Sequence, residues 1–408
     1  MKTKRPVQPA ALVLLLSTLN AQLSTCFAQG TLAPPGAPAP TMKTLTQVEP
    51  RTAITNSGAV TIFQPGSYYL TTNIAVNSGD AVTITTNGVK LDLNGFTISS
   101  TEVSPAGTGI MLSSGLRNIT IANGFIQGGV TNNGGGVYSG SGFAYGIYYS
   151  GTPPVNVQVS RVSVSGCLYH GIYLNSFDST VVESCTVRNA GSYGILAAIV
   201  RSSAAVQCGD EAIGGEQVSD CEGEVEGTGY GIYASGAQNC YGVSVHGPGV
   251  NAFTAQNCYG YGLANDNSYS GLYAENALNC SGSSNGSGVG VFAATALNCS
   301  GSSNSGDGVY ANTALNCYGS SGSGDGVHVG YSAQNCIGGS NSGDGVHAFA
   351  MHNCYGWSQS AYGVYAYDLA SLSYGFSTSG TGLRAFIANS CDGGGSPPLD
   401  VAHKYDMP

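Results

Sequence analysis

The pair Asn-Cys returns in this chain at an almost fixed interval, and that interval limits the available folds more than any other feature. Its cysteines are Cys240, Cys258, Cys280, Cys299, Cys317, Cys336 and Cys354, at spacings of 18, 22, 19, 18, 19 and 18 residues. Ser373 takes the next place and Cys391 the one after. Between them runs a second unit of Gly, an apolar residue, an aromatic and a small residue, as in Gly271-Leu272-Tyr273-Ala274 and Gly308-Val309-Tyr310-Ala311. A fixed period of this kind is a solenoid signature. Common helical repeats need about 33 residues or more per unit, and no stretch here keeps apolar residues at helical spacing. At roughly 3.3 Å per strand residue, 18 residues make one coil of short strands and tight corners. The reading is an all-β chain, a single-stranded parallel β-helix with coils of about 18–25 residues.

In-register stacking places each residue above its counterpart one coil earlier, so the repeats predict columns. Alternation puts Val309 and Ala311 inward and Tyr310 outward. Ala314 and Cys317 are three apart and cannot share a face of one straight strand, so a bend is expected at Asn316, where the left-handed conformation is tolerated. Stacked Asn side chains can then hydrogen-bond along the solenoid. Neighbouring cysteines would have Cβ atoms near the strand spacing of about 4.8 Å, against about 3.8 Å in a disulfide. They are read as a ladder of buried thiols rather than bridges. No Cys-x-x-Cys pair suggests a metal.

The ends read differently. Residues 1–28 carry a basic start, an apolar run from Ala10 to Leu16 and a small-residue site at Cys26-Phe27-Ala28, the pattern of a secretory signal peptide. Cleavage is expected before Gln29, with Ala21 the alternative, and Leu23-Ser24-Thr25-Cys26 is a weak match to a lipoprotein box. Residues 29–52 form a Pro/Ala-rich linker and lead-in, 53–395 the β-helix and 396–408 a tail. No second apolar run of membrane length follows, so the mature chain is expected to be secreted or held at the cell surface. Sixty-two Gly and only 8% charged residues fit tight corners and a core intolerant of stacked charge. Between Arg201 and Arg384 there is no Lys or Arg, and the net charge is −10. Phosphate binding needs a basic face, so nucleic acid is not an expected partner.

Short alternating strands open the helix. Pro65-Gly66-Ser67-Tyr68-Tyr69-Leu70, then Leu91-Asp92-Leu93-Asn94-Gly95-Phe96-Thr97-Ile98, then Asn118-Ile119-Thr120-Ile121 resemble the first coils of right-handed parallel β-helix proteins of the pectin-lyase-like superfamily. Gly171-Ile172-Tyr173-Leu174 and the Asn-Cys corners are similar to that family's coil repeats, and the resemblance covers about Ala53 to Cys391. It implies a right-handed helix, and for some members polysaccharide lyase or glycosidase chemistry. Glycosidases resembling this fold carry Asn-Thr-Asp, Asp-Asp, Gly-His-Gly and Arg-Ile-Lys motifs. Here the nearest are Asn312-Thr313-Ala314 and Tyr169-His170-Gly171, each lacking a required group.

Two sets of candidate residues remain. Counting three beyond each cysteine of the middle section gives His170, Arg188, Glu211 and Glu224, a base, a cation and two acids. Taken as one outward column these are the candidates for an enzyme, although the 13-residue gap from Cys208 to Cys221 breaks the register. The same section, up to Glu226, carries Asp178 and further charged residues. The second set is an outward aromatic column including Tyr233, Tyr273, Phe292, Tyr310 and Tyr365, with His328 and His347 in line. Its rings either stack to stabilise the coils or present a platform for sugar rings. Asp307, Asp325 and Asp344 recur once per coil, whereas a calcium roll needs its loop twice per coil, so no metal and no cofactor are expected. The functional expectation is an exported, non-catalytic surface, matrix or adhesion element that binds neutral polysaccharide or a cell-surface glycan. The alternative is a polysaccharide lyase, epimerase or glycoside hydrolase with an atypical site in 160–226.

Overall fold

The computed structural model describes residues 50–175, 179–265 and 268–407. The expected signal peptide, most of the linker and Asp178 lie outside the described residues. From Thr52 onward the chain winds as a parallel β-helix. Successive strands pair in parallel with the strand one coil before and one coil after, and no helix occurs among the described residues. Among the described residues no helix is long and apolar enough to cross a membrane. One antiparallel excursion, Thr131–Asn132 with Tyr138–Ser139, leaves the coils, and Tyr138 Oη donates to the Gln207 carbonyl at 2.8 Å. The coils continue into the stretch expected as a tail, where Leu399–Tyr405 pairs in parallel with Leu383–Asn389.

A repeat coil shows how the sequence makes the turn. Val309–Leu315 is one strand by hydrogen bonding, yet Val309, Ala311 and Ala314 point inward with two exposed residues, Asn312 and Thr313, between. Alternation fails once because the strand kinks there, so each coil has three faces rather than the two its apolar runs suggest. Asn316 follows at φ 53°, Cys317 turns inward, and Tyr318–Ser321 forms the third face. The Asn corner repeats at φ 52–53° from Asn239 to Asn353. Each amide donates to the one below: Asn257 to Asn239, Asn279 to Asn257, Asn298 to Asn279 and onward to Asn353, at 2.9–3.2 Å. Asn is suited to both tasks, tolerating the left-handed region and satisfying its side chain vertically.

The interior carries files of like residues. Valines and isoleucines fill the N-terminal coils, and alanine with cysteine fills the later ones. Buried Ser303, Ser321, Ser340, Ser358 and Ser377 each donate Oγ to a turn carbonyl of their own coil or the one before, at 2.6–2.8 Å, which offsets the cost of burying a hydroxyl. The third face is squeezed against the first. A Cβ at Gly319 would collide with the Gly326 carbonyl, and the equivalent collision recurs at Gly301, Gly338 and Gly356. These glycines are demanded by close approach of backbones.

The cysteines of the middle coils belong to two files. Cys167, Ala190, Cys208 and Val225 are in register, whereas Cys185, Ser203, Cys221 and Cys240 form the corner file that continues to Cys391. The 13-residue gap is therefore a change of file. All twelve cysteines from Cys167 to Cys391 are buried with free thiols. Burial pushes Cys167 and Cys208 up to about 12.

Candidate functional site

The change of file corrects the register expected for the charged residues. His170, Tyr193 and Glu211 occupy one file, two positions before Ile172, Ile195 and Ile213. Arg188, opposite Val206, belongs to another, with Glu224 two coils from it. No single column of base, cation and acids exists. His170 and Glu211 stand two coils apart, roughly 10 Å at strand spacing, with Tyr193 between. Burial lowers the His170 imidazole to about 4, so it is neutral at pH 7, packed 4.7 Å from the Tyr173 ring and 5.3 Å from that of Tyr193.

The aromatic column exists but is interrupted. Its file runs Tyr173, Leu196, Gly214, Tyr233, Asn251, Tyr273, Phe292, Tyr310, His328, His347 and Tyr365. Above Tyr273 the rings stack at centroid separations of 5.0 Å to Phe292 and 5.1 Å from Phe292 to Tyr310. Below it, Leu196, Gly214 and Asn251 leave the file without a ring. That interruption opens a groove of about 630 Å³, walled by Tyr193, Tyr233, Phe253 and Tyr273 and rimmed by Glu216 and Glu275. Tyr233 and Tyr273 are 47% and 45% exposed, each stacked on one neighbour, Tyr230 at 5.1 Å and Phe292 at 5.0 Å, which leaves the remaining ring surface to meet a ligand. Tyr273 and Asn251 also wall a second hollow of about 450 Å³, which reaches Phe292. Of the five aromatic candidates, Tyr233 and Tyr273 line the groove and Phe292 the neighbouring hollow. Tyr310 and Tyr365 lie beyond both, the latter against Arg384 and Tyr367.

Glu211 lies at the groove's base and is buried. Its Oε1 occupies the space over Gly214, where any side chain would collide with it. Gly214 therefore both breaks the aromatic file and makes room for the carboxyl. Burial, then the neighbouring Asp210, pushes Glu211 up to about 8, so it holds its proton at neutral pH. Oε1 is buried and has no hydrogen-bond partner among the described residues. A neutral carboxyl donates one hydrogen bond and accepts others. Enclosed by aromatic faces, it suits a ligand with hydroxyl groups and an apolar ring face.

A family model described as a right-handed β-helix region matches residues 60–236. The chain is a right-handed parallel β-helix repeat protein. The matched span includes His170, Arg188, Glu211 and Tyr233 and ends before the regular Asn-Cys coils. No curated protein matches the sequence. Among solved structures, the Dettilon tailspike protein aligns over 88% of this chain and 61% of its own, at 11% identity and a TM-score of 0.30. The chain thus spans less than two thirds of the length of that protein.

Sequence reasoning placed Glu211 among the candidates but not in a groove with Tyr233 and Tyr273, and it missed Tyr193 and Phe253. The signal was present in the repeat: Gly214 and Asn251 stand where the tetrad elsewhere carries an aromatic.

Proposed function

We propose that this chain is an exported, non-catalytic β-helix that serves at a surface or in a matrix by holding neutral polysaccharide across the Tyr233–Tyr273 groove. The observation that carries the reading is the buried Oε1 of Glu211, which has no hydrogen-bond partner among the described residues and lies in the groove walled by Tyr233 and Tyr273, where burial favours the neutral carboxyl. Aromatic rings contribute to sugar binding without charge, and a buried acceptor left without a donor is completed by a sugar hydroxyl. The stretch from Arg201 to Arg384 without Lys or Arg offers no cation to a uronate polymer, which also meets a net charge of −10. Export rests on the signal-peptide pattern of residues 1–28.

The test is binding of the mature chain to a panel of neutral and acidic polysaccharides, with reducing-end release assayed on every ligand found. Neutral polymers should bind without release. Tyr273→Ala should weaken binding by about 1 kcal/mol, about fivefold, with the melting temperature nearly unchanged. A variant that melts earlier yet binds as before would make the tyrosines purely structural. One observation favours a second reading: a carboxyl holding its proton near neutrality is the state of a general acid. Oligosaccharide release that disappears in Glu211→Gln would establish polysaccharide cleavage in place of binding alone.

A further inference from the structure

The sequence Asp-Gly-Val-His occurs at 325–328 and again at 344–347, and the coils set the two copies in register. The preceding coil carries Asp307 with Tyr310 in the histidine's place. Each carboxylate is split between two tasks. Asp307 Oδ1 accepts the Asp325 backbone N–H at 2.7 Å, Asp325 Oδ1 that of Asp344 at 2.7 Å, and Asp344 Oδ1 that of Tyr362 at 3.0 Å. The three side chains are thereby fixed to the backbone of the next coil, and their Oδ2 atoms meet the imidazoles. Asp325 Oδ2 lies 3.1 Å from His328 Nδ1 and 3.0 Å from His347 Nδ1. Asp307 Oδ2 lies 3.5 Å from His328 Nδ1, and Asp344 Oδ2 lies 3.4 Å from His347 Nδ1.

These separations are close to those within a coordination sphere. Ligands bound at about 2.0–2.2 Å to a tetrahedral ion stand roughly 3.3–3.6 Å from one another. The central three atoms are already converged, within 4.8 Å of one another, and need only open slightly to admit an ion. The backbone hydrogen bonds to Oδ1 orient the carboxylates as outer-shell partners of metal ligands do. The far side of His347 points the same way. Its Nε2 is buried and without a hydrogen-bond partner among the described residues, beside the rings of Tyr365 and Tyr367 at 4.7 and 5.3 Å. With the ring proton on Nδ1, that nitrogen is a bare lone pair against aromatic rings. With Nδ1 bound to a cation, Nε2 carries the hydrogen, and N–H toward an aromatic face is weakly favourable.

We propose that Asp325, His328 and His347 form a binding site for a divalent ion of the zinc class, with the Oδ2 of Asp307 or Asp344 as a fourth ligand. Two imidazoles with carboxylate oxygens suit zinc, cobalt or nickel, whereas calcium and magnesium require oxygen ligands throughout. The side chains keep between 11% and 32% of their surface exposed, so an ion can reach them from solvent. The site lies outside both hollows of the groove, and the inference stands apart from the polysaccharide reading.

The experiment uses the mature full chain after chelator treatment, titrated with Zn²⁺ calorimetrically and with Co²⁺ by visible absorption. One equivalent of each should bind, Zn²⁺ should displace Co²⁺, and a large excess of Ca²⁺ or Mg²⁺ should not. The Co²⁺ spectrum should lack thiolate charge-transfer bands, which separates this site from the cysteine file. His347→Ala and Asp325→Asn should each weaken binding at least tenfold, and His403→Ala should leave it unchanged. In case a variant misfolds, peptide mapping after diethylpyrocarbonate treatment of the unaltered protein gives an independent readout. Zn²⁺ should protect His328 and His347 while His403 stays reactive. Absence of saturable binding, thiolate bands at one equivalent, undiminished affinity in a folded His347→Ala, or modification of both histidines with Zn²⁺ bound would each overturn the proposal.

Discussion

At the scale of single residues, the chemistry of this solenoid sits where a file of like side chains is broken. Glu211 is one member of a file otherwise filled there by His170, Tyr193 and Tyr230, and its carboxyl fits only because the next coil-facing position is Gly214. Burial raises its pKa to about 8, against an ordinary value of 4.5. The consequence for stability has a definite sign. Below about pH 4.5 the carboxyl is protonated folded and unfolded, and its titration costs nothing. Between 4.5 and 8 the unfolded chain binds fewer protons, so stability falls as pH rises, and above 8 the loss is complete. Glu211→Gln keeps the shape and removes the titration. Its melting temperature should match that of the unaltered protein at pH 4, exceed it progressively toward pH 8 and hold a constant lead above. A lead that is the same at every pH would show that Glu211 titrates normally.

At the scale of the coil, two devices recur and each has one informative exception. The Asn corner file passes from Asn353 to Leu372, which is 55% exposed and held at φ 49°. A branched apolar residue in the left-handed region costs roughly 1–2 kcal/mol and contributes nothing to the ladder. Leu372→Asn should therefore stabilise the protein by about 1 kcal/mol, measured as a shift of the denaturant midpoint with the slope unchanged. The second device is the squeezed third face. Gly319→Ala drives a methyl into the Gly326 carbonyl and should destabilise by about 1–3 kcal/mol. Gly339, one position further along the same face in the next coil, meets only the Trp357 side chain at 3.6 Å, so Gly339→Ala should be nearly neutral. Equal effects of the two would mean that the glycines are kept for flexibility and not for space.

At the scale of the whole molecule, periodicity made the fold readable and residue type alone did not. The inward places of Val309, Ala311, Ala314 and Cys317 and the corner at Asn316 followed from spacing, because in-register stacking converts a period into columns. The kink at Asn312–Thr313 did not, since two polar neighbours also suit a loop. Nor did the two cysteine files, because one residue type marks two different positions in the coil. The groove was hidden for a related reason, since it depends on residues from several coils whose register had to be known first. The Asp and His columns were each legible, but not that their side chains meet, as Asp325 Oδ2 does with His328 and His347 Nδ1. The corner cysteines carry the same logic through the height of the later coils. Each Sγ from Cys221 to Cys354 donates to the carbonyl two residues earlier at 3.1–3.4 Å, and Cys299 and Cys317 also reach a carbonyl one coil below at 3.4 Å. Their vertical neighbours stand near strand spacing, about 4.8 Å, and a disulfide would have to draw the Cβ atoms about 1 Å closer at every bridge. That shortening, imposed on one corner while the other two faces keep their spacing, would tilt every coil above it. The thiols are therefore expected to stay reduced even in oxidising surroundings. Native protein purified without reductant should react negligibly with a thiol reagent, because the groups are buried and burial holds Cys167 and Cys208 near 12. After denaturation in the absence of reductant, mass mapping should find Cys167 to Cys391 alkylated as free thiols. Disulfide-linked peptides joining successive members of the corner file would show that the coils yield to the bridge, and that the ladder is a chain of crosslinks instead of a packed column.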